Sequence, residues 1–188
     1  MSQKSELIEV LDENQNIVDI KPRSYVHKHE LLHAVVHVFI YNPIKGLLVQ
    51  QRSQNTKTYP LQWHTAGASG HIEAGKTPEQ TCCVETKEEL GLSINQDELI
   101  FLGIFQDEAY VDGVGVYERA FIHAYLIMTD VTLRDISIDK NEVSTVKFMR
   151  INEVMSELNS DAFSRYINQS KEYYLDTLDL IQQKVGHE

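Results

Sequence analysis

Glu85, Glu88 and Glu89 are the residues whose type and spacing speak most directly of chemistry. They lie in the stretch ETKEE, downstream of Thr77-Pro78-Glu79-Gln80. That tetrapeptide is a helix start: Thr77 can cap, Pro78 suits the first helical position and Gln80 completes a capping box. Gly91 is a good left-handed terminator, so the spacing predicts a helix from Pro78 to Leu90. At about 100° per residue the three carboxylates fall within about a 100° arc, with Cys83, Thr86 and Leu90 on a different face that can pack. Carboxylates so close repel one another unless a cation sits among them. Oxygen ligands at this density suit magnesium or manganese. Taken alone, such a cluster is usually just a solvated helix face.

The context is more specific. Gly70, Glu85, Glu88, Glu89, Gly91 and Leu92 stand at the positions of the Nudix box, which runs here from residue 70 to 92, and the segment resembles that family. Three positions depart: Lys76 stands where the family has its first Glu, Val84 where it has Arg, and Thr86 where it has an apolar residue. The resemblance implies that Glu85, Glu88 and Glu89, with the carbonyl of Gly70, hold Mg²⁺ or Mn²⁺ and that the chain cleaves a diphosphate linkage. The departures leave the triad whole but weaken the shell that orients it. Lys76 lies near the positive end of the helix and could contact a substrate phosphate.

Beyond the box, LLHAVVHVFIYNPIKGLLVQQRS, then Lys57, Pro60, Trp63 and ASGH, is similar to the branch that includes isopentenyl-diphosphate isomerase and its hydrolase relatives. The isomerase needs a cysteine immediately before the Gly-His of this segment, and this chain has Ser69-Gly70-His71. A serine hydroxyl is a far poorer acid–base group than a thiol at neutral pH. The isomerase also binds a metal through several histidines. His27, His33 and His71 occupy corresponding neighbourhoods, although the spacing of the first two does not clearly match. On a strand His33 and His37 share a face with Val35 and Phe39, which reads as packing, and His71 reads as structural or substrate-contacting. Glu118, in VYERAF, matches a position that often contributes a carboxylate and is a candidate general base beside Glu88 and Glu89; Asp107 and Glu108 are weaker ones. Arg52, ending VQQR, could pair with phosphate, with a box carboxylate or in a surface ion pair. Besides hydrolysis, two readings stay open: an isomerase, and a Nudix-like domain that binds its ligand without turnover.

Around these residues the chain reads as an N-terminal hairpin at about residues 5–21, then a helical turn in PRSYVHKHE. A strong strand follows in LLHAVVHVFIYNP, with further strands in LLVQQRS, WHTAGASGH, LIFLGIFQ and STVKFMRI. EAYVDGVGVYERAFIHAYLIM reads as a hairpin turning near Asp112-Gly113. Two helical segments are expected at about 151–185, from Ile151 and from Asp161 to about Lys184. Strands with interposed and trailing helices argue for one α/β domain over the whole chain. The resemblance makes that an α/β/α sandwich with a mixed sheet and a loop–helix–loop box. The aromatic C-terminal helices could cover the sheet or make a homodimer contact.

The bulk properties set the partners. With 17 basic and 28 acidic residues in 188, the net charge is −11. Nucleic-acid binding is not expected, because it needs clustered cations. A protein so acidic needs a cation between itself and an anionic small molecule. Cys82 and Cys83 are adjacent, which disfavours a disulfide, and they read as packing residues. No apolar run approaches membrane length and MSQKSELIEV is not a leader, so a cytoplasmic protein is expected.

Overall fold

The computed structural model describes residues 6–111 and 114–186. Strands β1 (Leu7–Leu11) and β2 (Ile17–Pro22) form the N-terminal hairpin, and α1 (Arg23–Lys28) follows directly. The remaining strands are β3 (His33–Asn42), β4 (Gly46–Arg52), β5 (Trp63–His64), β6 (Ala68–His71), β7 (Ile100–Val111), β8 (Val116–Met128) and β9 (Val143–Met149). They build one mixed sheet in the order β5-β4-β3-β8-β7, with β6 on β3 and β9 on β4. Among the named strands of the described residues, β3 and β8 pair in parallel, from His33 opposite Ala120 to Tyr41 opposite Met128, and the rest pair antiparallel. The turn expected near Asp112-Gly113 lies outside the described residues.

Alternation along β3 feeds two cores. Val36, Val38 and Ile40 pack with Cys82, Leu90 and Leu92 around α2 (Pro78–Leu90). Val35, Phe39 and Tyr41 pack with Leu158, Tyr174, Leu178 and Ile181 from α3 (Ile151–Leu158) and α4 (Lys171–Val185). The buried α2 positions include Cys82, Thr86 and Leu90, so Cys82 rather than Cys83 is the cysteine packed inside. Among the described residues no helix is long and apolar enough to cross a membrane.

The C-terminal region departs from the expected helix starting at Asp161. Residues Asp161–Arg165 form a 3-10 turn, and the chain then straightens. Tyr166 bridges Trp63, and the Ile167 N–H donates to the Trp63 carbonyl at 2.9 Å. Tertiary pairing to β5 thus overrides the helical spacing, and a new helix starts where Ser170 caps it. Tyr173, Tyr174, Leu178 and Ile181 are all buried by this packing. The C-terminal helices therefore cover the sheet.

Candidate metal and diphosphate site

Two strands share one edge of β3. β4 pairs with residues 40–42 and β6 with residues 35–38, so the sheet forks between them. α2 lies across the fork. Its start is built as the spacing predicts, with Thr77 and Gln80 exchanging capping bonds and Gly91 closing the helix at φ 70°. Glu89 is 4% exposed and spans the two arms. One of its oxygens accepts from Gln50 Nε2 on β4 at 3.0 Å and the other from the Ser69 N–H on β6 at 3.4 Å. Glu85 presses against Gly70, where an added Cβ would lie 2.1 Å from the Glu85 carboxyl carbon. Glycine at 70 is thus a space requirement. Glu88 remains exposed to solvent.

This crowding is written in the acidities. Burial, then Glu88, pushes the Glu85 carboxyl up to about 8. Burial, then Glu85, pushes Glu89 well above the usual carboxylate range. Two neighbouring buried carboxyls favour the neutral form unless a positive charge stands beside them.

A second cluster stands on the other face of β6. His27, His33, His71 and Glu118 come from α1, β3, β6 and β8, and their ligand atoms all lie within 4.8 Å of one another. The Nδ1 of His33 donates to the Leu31 carbonyl at 3.0 Å, which leaves its buried Nε2 without a partner. The Nε2 atoms of His27 and His71 face each other at 2.9 Å, and His71 Nε2 lies 3.8 Å from Glu118 Oε1. Burial holds His27 and His33 down at about 4, so both rings are neutral at pH 7. An imidazole fixed by its Nδ1 proton and presenting a bare Nε2 is the usual form of a metal-ligating histidine. The donor set fits a divalent cation such as manganese or zinc.

His33 and His37 share a strand face but have different roles. His33 joins this cluster, whereas His37 is buried beneath α4 with its Nδ1 2.5 Å from the Tyr173 hydroxyl. The sequence singles out all four residues, but as packing, structural or general-base candidates rather than as one group, because they come from four elements. The signal was the Gly-His pair at 70–71 together with the two upstream histidines.

Of the other residues singled out, Arg52 is anchored by the carbonyl and hydroxyl of Thr58 at 3.0 and 3.2 Å, and its charge bears on both Glu89 and Glu118. Burial raises the Glu118 carboxyl, against the pull of Arg23 and Arg52. Arg23, not anticipated from the sequence, bears on Glu85, Glu118 and the three histidines while paired with Glu6 at 3.0 Å. Lys76 is held on the surface by Glu73 at 2.8 Å. Asp107 sits under α4, accepting from the Ser170 N–H, and Glu108 pairs with Arg119. Trp63 is half-buried beneath the Lys147 ammonium.

The model of the NUDIX domain matches residues 31–169, most of the chain. This chain belongs to the Nudix family. It is 32% identical over 144 residues to Nudix hydrolase 3 of Arabidopsis thaliana, covering 75% of this chain but only 18% of that longer protein. It is 27% identical over 157 residues to isopentenyl-diphosphate Delta-isomerase 1 of Photorhabdus laumondii, covering 83% and 86% of the two chains. In fold it is similar to DR0079 from Deinococcus radiodurans, with a TM-score of 0.68 at 17% identity over 91% of this chain and 97% of that one. The relatives it matches include both Nudix hydrolases and isopentenyl-diphosphate isomerases.

Proposed function

We propose that this Nudix hydrolase cleaves the diphosphate linkage of a small organic or nucleoside diphosphate. Glu85, Glu88 and Glu89, with the Gly70 carbonyl, are the residues that would hold Mg²⁺ or Mn²⁺; His27, His33, His71 and Glu118 would hold a second divalent cation. Such ions neutralise phosphate oxygens and acidify water. The observation that carries the reading is the seating of Glu85 and Glu89 against Gly70 and Ser69, in space that a side chain at 70 would fill.

The chain's own residues divide the work. Arg23 and Arg52 bring the cationic charge that an anionic substrate needs in so acidic a protein. Glu85 and Glu89 are engaged by the fork, so we assign the exposed Glu88 as acceptor of the proton from the attacking water. A water oxygen bonds to phosphorus, the bridging P–O bond breaks, and the departing phosphate takes the electron pair. Lys76, with its ammonium already on Glu73, belongs to the rim.

A second reading is favoured by the histidine–glutamate cluster and by the isomerase relative: proton transfer on the carbon skeleton of an allylic diphosphate. Ser69, in place of the required thiol, weighs against it. A panel of organic and nucleoside diphosphates assayed with Mg²⁺ and with Mn²⁺ separates the two. The hydrolase reading expects phosphate or monophosphate release that vanishes in Glu88→Gln/Glu89→Gln. Deuterium entering isopentenyl diphosphate without phosphate release would establish the isomerase instead. Ligand-induced stabilisation without either turnover would mark a non-catalytic binding domain.

A further inference from the structure

The N-terminal hairpin carries a surface that the proposed reaction leaves unused. β2 pairs with β1 along one edge, and among the described residues no strand lies along the other. Ile8 and Val10 turn inward and are buried. Leu7, paired with Pro22, Ile20, paired with Glu9, and Ile17, paired with Leu11, lie on the opposite face. Leu7, Ile17 and Ile20 are 48%, 57% and 49% exposed, and Val18, at the irregularity in the ladder, is 60% exposed. These side chains form an apolar strip on the outer face of the hairpin, next to the free edge of β2. The apolar face of α4, the other candidate contact, is already spent on the sheet.

β2 also carries its own complement. Asp19 and Lys21 flank Ile20 and pair with each other at 2.8 Å. If β2 lies antiparallel against β2 of a second copy, Ile20 opposite Ile20, each Asp19 faces the other copy's Lys21. The exposed apolar side chains of the two hairpins then join into one face. A parallel arrangement would set Asp19 against Asp19, and a slip of two residues would lose both charge pairs. Charges and a proline on an edge strand commonly discourage pairing with foreign strands. Here the same residues select an identical one.

We propose that the protein forms a two-fold dimer through β2, joined edge to edge with a second copy of the chain. The strand runs directly into Arg23 and α1, so the interface braces the element that brings Arg23 and His27 to the site.

The test is the mass of the full chain by sedimentation equilibrium, with circular dichroism to confirm folding. The native chain is expected to be a dimer. Asp19→Lys and Lys21→Glu each place like charges opposite one another and should weaken it at least tenfold, whereas the combined exchange should restore it to within a few-fold. Opposed residues of a hydrogen-bonded antiparallel pair have Cα atoms about 5.5 Å apart, within disulfide reach. Ile20→Cys should therefore cross-link on mild oxidation, and Ile44→Cys, at a site 79% exposed on the β3–β4 turn, should not. A monomeric native chain, a dimer indifferent to both charge reversals, or an Ile20→Cys chain that fails to cross-link would each overturn the proposal.

Discussion

Thr86 and Gly70 set opposite conditions on α2. Thr86 stands where the family pattern has an apolar residue; it is fully buried and its hydroxyl has no partner. A buried hydroxyl that bonds nothing costs about 1–3 kcal/mol relative to an apolar group of the same shape. Thr86→Val should therefore raise the unfolding free energy by about 1 kcal/mol, read as a higher urea midpoint at unchanged slope. Gly70 tolerates no such exchange, because a methyl there meets the Glu85 carboxylate. Gly70→Ala should lower turnover at least tenfold and lower the melting temperature as Glu85 is displaced; an unchanged rate would show that Glu85 need not occupy that seat. Both positions were legible as members of a pattern. The contact that makes the glycine necessary was not, since Gly70 and Glu85 meet only when α2 lies across β6.

Among the elements, the N-terminal hairpin and α1 have most at stake in cation binding. α1 spans only Arg23–Lys28, and its single buried side chain, Val26, joins a small cluster with Ile8 and Val10. Such a segment has little local stability of its own. If His27 joins His33, His71 and Glu118 around a cation, adding Mn²⁺ should slow amide exchange across residues 23–31 by at least tenfold. His27→Ala should abolish that protection while leaving exchange in α2 unchanged. The capped helix α2, the hairpins and the long strand β3 could be read from spacing because their signals are local. The break at Tyr166 and Ile167 could not, because their partner, Trp63, lies far away in sequence. The convergence of His27, His33 and His71 on Glu118 was hidden for the same reason. Strand alternation put His33 and His37 on one face, but only the arrival of α1 over one and α4 over the other separates their roles.

For the whole molecule, the interior is a reservoir of neutral histidines. Burial holds His64 down at about 3, against about 6.5 for an unfolded histidine, with the Gln169 side chain as its partner at 3.2 Å. A depressed folded value means that the unfolded chain binds the proton first. The contribution is therefore complete above about pH 6.5 and is lost as pH falls towards 3. Each such histidine adds a slope of up to about 1.4 kcal/mol per pH unit in that window. Urea unfolding at pH 7, 6, 5 and 4 should show steep acid destabilisation, and His64→Gln should make it shallower by up to that amount. The parallel pairing of β3 with β8 has a consequence of another kind. It joins two strands that leave the ribosome far apart in time, with β4, β6 and α2 made between them. Until β8 emerges, β3 presents an unpaired apolar edge, and His33 waits for Glu118. Long-range parallel contacts close slowly, so the nascent protein should depend on holding that edge apart from its neighbours before any site exists.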